Sequence, residues 1–63
     1  MQAFQIENLD GYEIVQSELY GKLTISWFNE DEILVLYDNS SSKLISPEQA
    51  QKQFDSGMWT LCN

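Results

Sequence analysis

Apolar and polar residues alternate most regularly from Lys22 to Phe28, where Leu23, Ile25 and Trp27 fall on one side and Lys22, Thr24 and Ser26 on the other. A period of two is the signature of a half-buried β-strand. Four other segments have strand character, at 3–9, 12–19, 33–38 and 58–62. Phe4-Gln5-Ile6-Glu7 alternates, and Asp10-Gly11 after it favours a two-residue hairpin turn, whose central positions both need positive φ. A hairpin joining 3–9 to 12–19 is expected. Within its second arm, Val15 breaks the alternation of Tyr12-Glu13-Ile14, which predicts a bulge, and Tyr20-Gly21 ends the arm at a bend.

Asn29-Glu30-Asp31-Glu32 forms a polar turn into Ile33-Leu34-Val35-Leu36-Tyr37. That continuous apolar run predicts burial on both faces, and so a central place in a sheet or in a small closed barrel. Asp38-Asn39 followed by Ser40-Ser41-Ser42 reads as a loop. Helix signals then converge. Ser46 suits an N-cap, Pro47 the first helical position and Gln49 the reciprocal place in a capping box, while Gly57 stands where the helix should stop. A helix over 47–56 follows, turning Ala50 and Phe54 to one side at i, i+4 spacing. Met58 to Cys62 resumes strand character as a final edge strand.

These elements predict a single α+β domain over residues 1–63: a curved antiparallel sheet of four or five strands, with one short helix before the last strand. A small SH3-like barrel with an inserted helix is the competing architecture. A chain of this length should expose roughly 4,200 Å² when folded and bury only about 60% of its unfolded surface. Self-association into a homodimer would enlarge so small a core.

Charge changes the picture more than length does. Ten carboxylates oppose three lysines, for a net charge of −7, with no Arg and no His. Such a chain is repelled by nucleic acid and by anionic membranes and attracted to basic surfaces. No apolar run approaches the roughly 20 residues of a membrane span. The N-terminus shows no signal-peptide pattern and Cys62 has no partner for an intrachain disulfide, so the expected location is the cytoplasm.

The missing histidine removes most general acid/base and nucleophilic arrangements, and no basic residue near Cys62 would activate its thiol, which reads as a half-buried small hydrophobe. Glu30-Asp31-Glu32 with Asp38 concentrates hard oxygen ligands, but neighbouring residues in a turn cannot all face one ion, and the spacing of a calcium loop is absent. No catalytic residue, cofactor or metal site is expected.

The leading expectation is a non-enzymatic protein-binding domain, an inhibitor or regulator that engages a basic, nucleic-acid-binding partner protein. Glu13, Glu18, Glu30, Asp31, Glu32 and Asp38 would supply its acidic surface, and Phe28 and Trp59 its aromatic anchors. Acids aligned on one ridge would present a field comparable to that of a nucleic acid; scattered acids would serve solubility. The alternative is a structural subunit that pairs through its uncharged C-terminal edge strand.

Overall fold

The computed structural model describes residues 3–62. Five strands, β1 (Tyr12–Ser17), β2 (Gly21–Asn29), β3 (Glu32–Tyr37), β4 (Ser42–Ile45) and β5 (Trp59–Leu61), form one antiparallel sheet in the order β4-β3-β2-β1-β5. A helix, α1 (Pro47–Asp55), connects the two edge strands, and a single 3-10 turn, Ile6–Asn8, precedes β1. The sheet is open, so the α+β architecture holds and the closed barrel does not form.

The helix begins as its sequence requires. Ser46 Oγ accepts from Gln49 N–H at 3.1 Å, and the Gln49 side chain accepts from Ser46 N–H at 3.3 Å, which completes the capping box. Two of the orphan donors at the helix start are satisfied in this way. The helix ends at Gly57, whose φ of +82° a side-chain-bearing residue adopts only with strain.

Three expectations need correction. Residues 3–9 form no strand, and Asp10-Gly11 turns no hairpin, although Gly11 does take a positive φ of +73°. Ile6 and Leu9 are both buried, three residues apart, and side chains at that spacing share one side of a 3-10 turn. The backbone that a partner strand would have satisfied bonds instead to Gln51 of α1. The Gln51 side chain accepts from Ile6 N–H at 2.8 Å and donates to Phe4 C=O at 2.9 Å. Second, β1 runs in unbroken register from Tyr12↔Ser26 to Ser17↔Gly21. Val15 is its fully buried inward residue and Ile14 faces out; the irregularity lies in β2, between Trp27 and Asn29. Third, the serine loop yields to β4 at Ser42, after a turn in which Asn39 Oδ1 accepts from both the N–H and the hydroxyl of Ser41.

The core lies between one sheet face and the helix. Val15, Leu23, Ile25, Ile33, Val35 and Trp59 project from the sheet to meet Ala50 and Phe54 of α1, with Ile6 and Leu9 closing one side. The Phe54 ring stacks edge-on against Trp59 at 5.6 Å and lies 5.1 Å from Phe4. Each fully buried Val, Leu or Ile side chain contributes roughly 1.5–3 kcal/mol, so this single layer of apolar contacts carries most of the fold's stability.

The path of α1 sets where the sheet stays uncovered. β4 ends at the same end of the sheet as the Glu30-Asp31 turn, whereas β5 begins at the opposite end, paired with Ser17. The helix therefore crosses its face diagonally, from one corner to the other. The 3-10 segment fills one of the two remaining corners, beside the start of β1. The other corner, between α1 and the ends of β3 and β4 nearest the 38–41 turn, holds a groove.

Candidate functional site

Nothing among the described residues covers the sheet face turned away from α1. Register places Tyr12, Ser26, Leu34 and Leu44 in one row across β1 to β4, and Ile14, Thr24, Leu36 and Ser42 in the next. Cross-strand neighbours of this kind sit about 4.5–5.5 Å apart, so the two rows form a continuous surface. Tyr12 is 66% exposed, Ile14 41%, Leu36 44% and Leu44 39%. No charged residue stands in either row.

A shallow hollow of about 410 Å³ opens on this face between Ile14, Thr24 and Leu36, with Lys22 and Asp38 at one margin. Taking about 200 Å² for a large side chain, the four exposed residues offer about 380 Å² of mostly apolar area, within the 300–600 Å² typical of the largest patch on a monomer. The accessible surface of 4,556 Å² exceeds the value expected for this size by about 400 Å², as an uncovered sheet face requires.

This surface corrects the reading of 33–38. β3 is an interior strand, but only Ile33 and Val35 are buried; Leu34 is half-buried and Leu36 open to solvent. The cause is supply: among the described residues the covering elements are a nine-residue helix and one 3-10 turn, and both lie on the same face. The signal was present in the sequence. Adjacent apolar residues in a strand, Ile14-Val15 and Ile33 to Leu36, make both faces apolar whatever the register.

The acids form no single ridge. Glu18 and Asp38 lie in the turns at one end of the strands, and Glu30 and Asp31 in the turn at the other, where Glu32 begins β3. Glu13 is half-buried opposite Ile25 on the helix side. In the Glu30-Asp31 turn, Asn29 Nδ2 donates to Glu32 Oε1 at 2.9 Å and Asn29 Oδ1 accepts from Asp31 N–H at 2.8 Å. These bonds fix the turn. No group of three or more potential metal ligands occurs among the described residues.

The two proposed aromatic anchors separate. Phe28, two residues past Ser26 and next to the acidic turn, is 58% exposed. Trp59 is not an exposed anchor: it is 7% exposed because its ring closes the core against Phe54. Cys62 is exposed rather than half-buried, since β5 ends at Leu61 and only the Cys62 backbone, donating to Ile14 C=O at 2.9 Å, continues the pairing. β5 is the predicted edge strand, but it has three residues, and the opposite edge carries Lys43. Short length and lysine both blunt an edge against further pairing.

No helix in the described residues is long and apolar enough to cross a membrane. Comparison with protein-family models, curated proteins and solved structures returned no match for this chain.

Proposed function

We propose that this chain is a non-enzymatic interaction domain that binds a partner protein through its open sheet face. The observation that carries the reading is the uncharged apolar surface of Tyr12, Ile14, Leu36 and Leu44, exposed on a chain that otherwise carries −7. Carboxylates stand at both ends of the strands that form it, Glu18 and Asp38 at one and Glu30, Asp31 and Glu32 at the other. A partner with an apolar centre and a basic rim fits that pattern; a second copy, with the same acids at its own rim, meets repulsion. Proteins built to bind nucleic acid carry such basic surfaces, and covering one would make this domain an inhibitor or regulator. A single free cysteine suits the reducing cytoplasm as its setting.

Affinity capture from source-cell extract, followed by titration of each purified captured protein against the wild type and the Ile14→Glu/Leu36→Glu variant, tests this reading. The expected partner has a basic surface, binds more weakly as salt rises, and loses affinity by about 30-fold or more in the double variant, as loss of a central anchor would cause. Circular dichroism confirms that the variant folds. Partners whose affinity ignores both the substitutions and the salt would overturn the proposal.

A further inference from the structure

The corner of the sheet that α1 leaves uncovered holds a groove, on the opposite side from the proposed interaction face. The groove encloses about 440 Å³, within the range of small-molecule pockets. Leu23, Val35 and Trp59 form an apolar floor that is part of the core. One wall is aromatic, with the Tyr20 and Tyr37 rings edge to face at 5.3 Å. The helix supplies the other wall: Gln49, Lys52 and Gln53, spaced i, i+3 and i+4, share the side of α1 that lines the groove. Lys43 of β4 faces them, since its register partner Val35 points to the same side.

The charge here is the reverse of the molecule's. Two of the chain's three lysines line the groove, and none of its ten carboxylates does. Glu48, one turn before Lys52, is not among the lining residues. Neither lysine takes part in a side-chain hydrogen bond among the described residues. Two ammonium groups beside an apolar floor recognise an anion attached to an apolar body. The groove lacks the glycine-lined cluster of backbone N–H groups that commonly cradles a phosphate, and its positive charge comes from the two lysines alone.

We infer that this groove binds a small amphipathic carboxylate, its acid group held by Lys43 and Lys52 and its apolar part seated over Trp59. The acid is carried either by a free small molecule or by the C-terminal residue of a peptide. The inference is independent of the sheet-face reading, whose residues lie on the other side of the molecule.

Nuclear magnetic resonance titration of the full chain tests it, with 3-phenylpropionate and its amide as one pair and acetyl-Ala-Phe and its C-terminal amide as the other. The expected result is saturable shifts at Lys43, Gln49, Lys52, Gln53 and the Trp59 indole, with each acid binding about tenfold or more tightly than its amide, as charge-assisted hydrogen bonds allow. The Lys43→Gln and Lys52→Gln variants should each erode that preference, while Lys22→Gln, on the other face, keeps it. Tighter binding of acetyl-Ala-Phe than of 3-phenylpropionate assigns the site to peptide termini, and the reverse order assigns it to free acids. Equal affinity for acid and amide, shifts centred elsewhere, or no saturable shift up to about 20 mM would overturn the inference.

Discussion

Val35 and Leu36 are neighbours on β3 and face opposite sides of the sheet, so truncating each to alanine measures how differently the two faces are covered. Val35 is 1% exposed, in the middle of the core, and Leu36 is 44% exposed. Val35→Ala removes two buried methyl groups, about 1.6 kcal/mol at about 0.8 kcal/mol each, and leaves a cavity that raises the total to about 2–3 kcal/mol. Leu36→Ala removes more carbon, but roughly half of it is already in water and solvent fills the space left behind, so the loss is about 1 kcal/mol. A domain of this size has roughly 3–9 kcal/mol in total. Val35→Ala should therefore lower Tm by about 10–20 °C and Leu36→Ala by about 4–8 °C. Urea denaturation followed by tryptophan fluorescence gives both free-energy losses, with Trp59 reporting from the core, and thermal melts give the Tm shifts. A Leu36→Ala penalty equal to that of Val35→Ala would refute the reasoning. If that penalty also grew with protein concentration, the face would be buried between two copies rather than open.

Two further substitutions test how the covering layer is held. Ser46→Ala removes the hydroxyl side of the capping box and should cost about 1 kcal/mol, seen as a fall in Tm of about 4–8 °C, with Ser46→Asp retaining most of the stability. Gln51→Ala removes the bonds to Ile6 N–H and Phe4 C=O that hold the N-terminal segment on α1, and should cost about 1–3 kcal/mol; amide exchange at Ile6 should accelerate well before exchange at Ile25 or Val35.

Local signals in the sequence were sufficient wherever one residue's chemistry decides one structural feature. Ser46, Pro47, Gln49 and Gly57 located the helix to within a residue of its end, and the alternation through Lys22–Phe28 located β2. The failures are places where distant parts of the chain decide. Phe4 to Glu7 alternates like a strand, yet Gln51, 45 residues beyond Ile6, is what satisfies its backbone. β4 has too few apolar residues to announce itself, and it forms because β3 offers an edge whose backbone groups need partners. The candidate surface was hidden for a related reason. A continuous apolar strand signals burial on both faces, and only a count of the available covering elements shows that one face has nothing to cover it.

That count also gives the acids a different role from the one their number suggests. An open, apolar, antiparallel face on a 63-residue chain would ordinarily invite a second copy to stack on it. Here five of the ten carboxylates, Glu18, Glu30, Asp31, Glu32 and Asp38, stand at the two ends of the strands, so face-to-face stacking brings acidic rims together whichever way the second sheet is turned end for end. Among the described residues Lys22 offers this face a compensating charge, and Asp38 shares its margin. The repulsion reaches about one Debye length, roughly 8–10 Å at physiological salt, comparable to the roughly 10 Å spacing of stacked sheets. It therefore acts where the two faces would meet. The acids need no ridge to do this: carboxylates at opposite ends of the strands would oppose a second copy stacking on the face and would suit the basic partner proposed above.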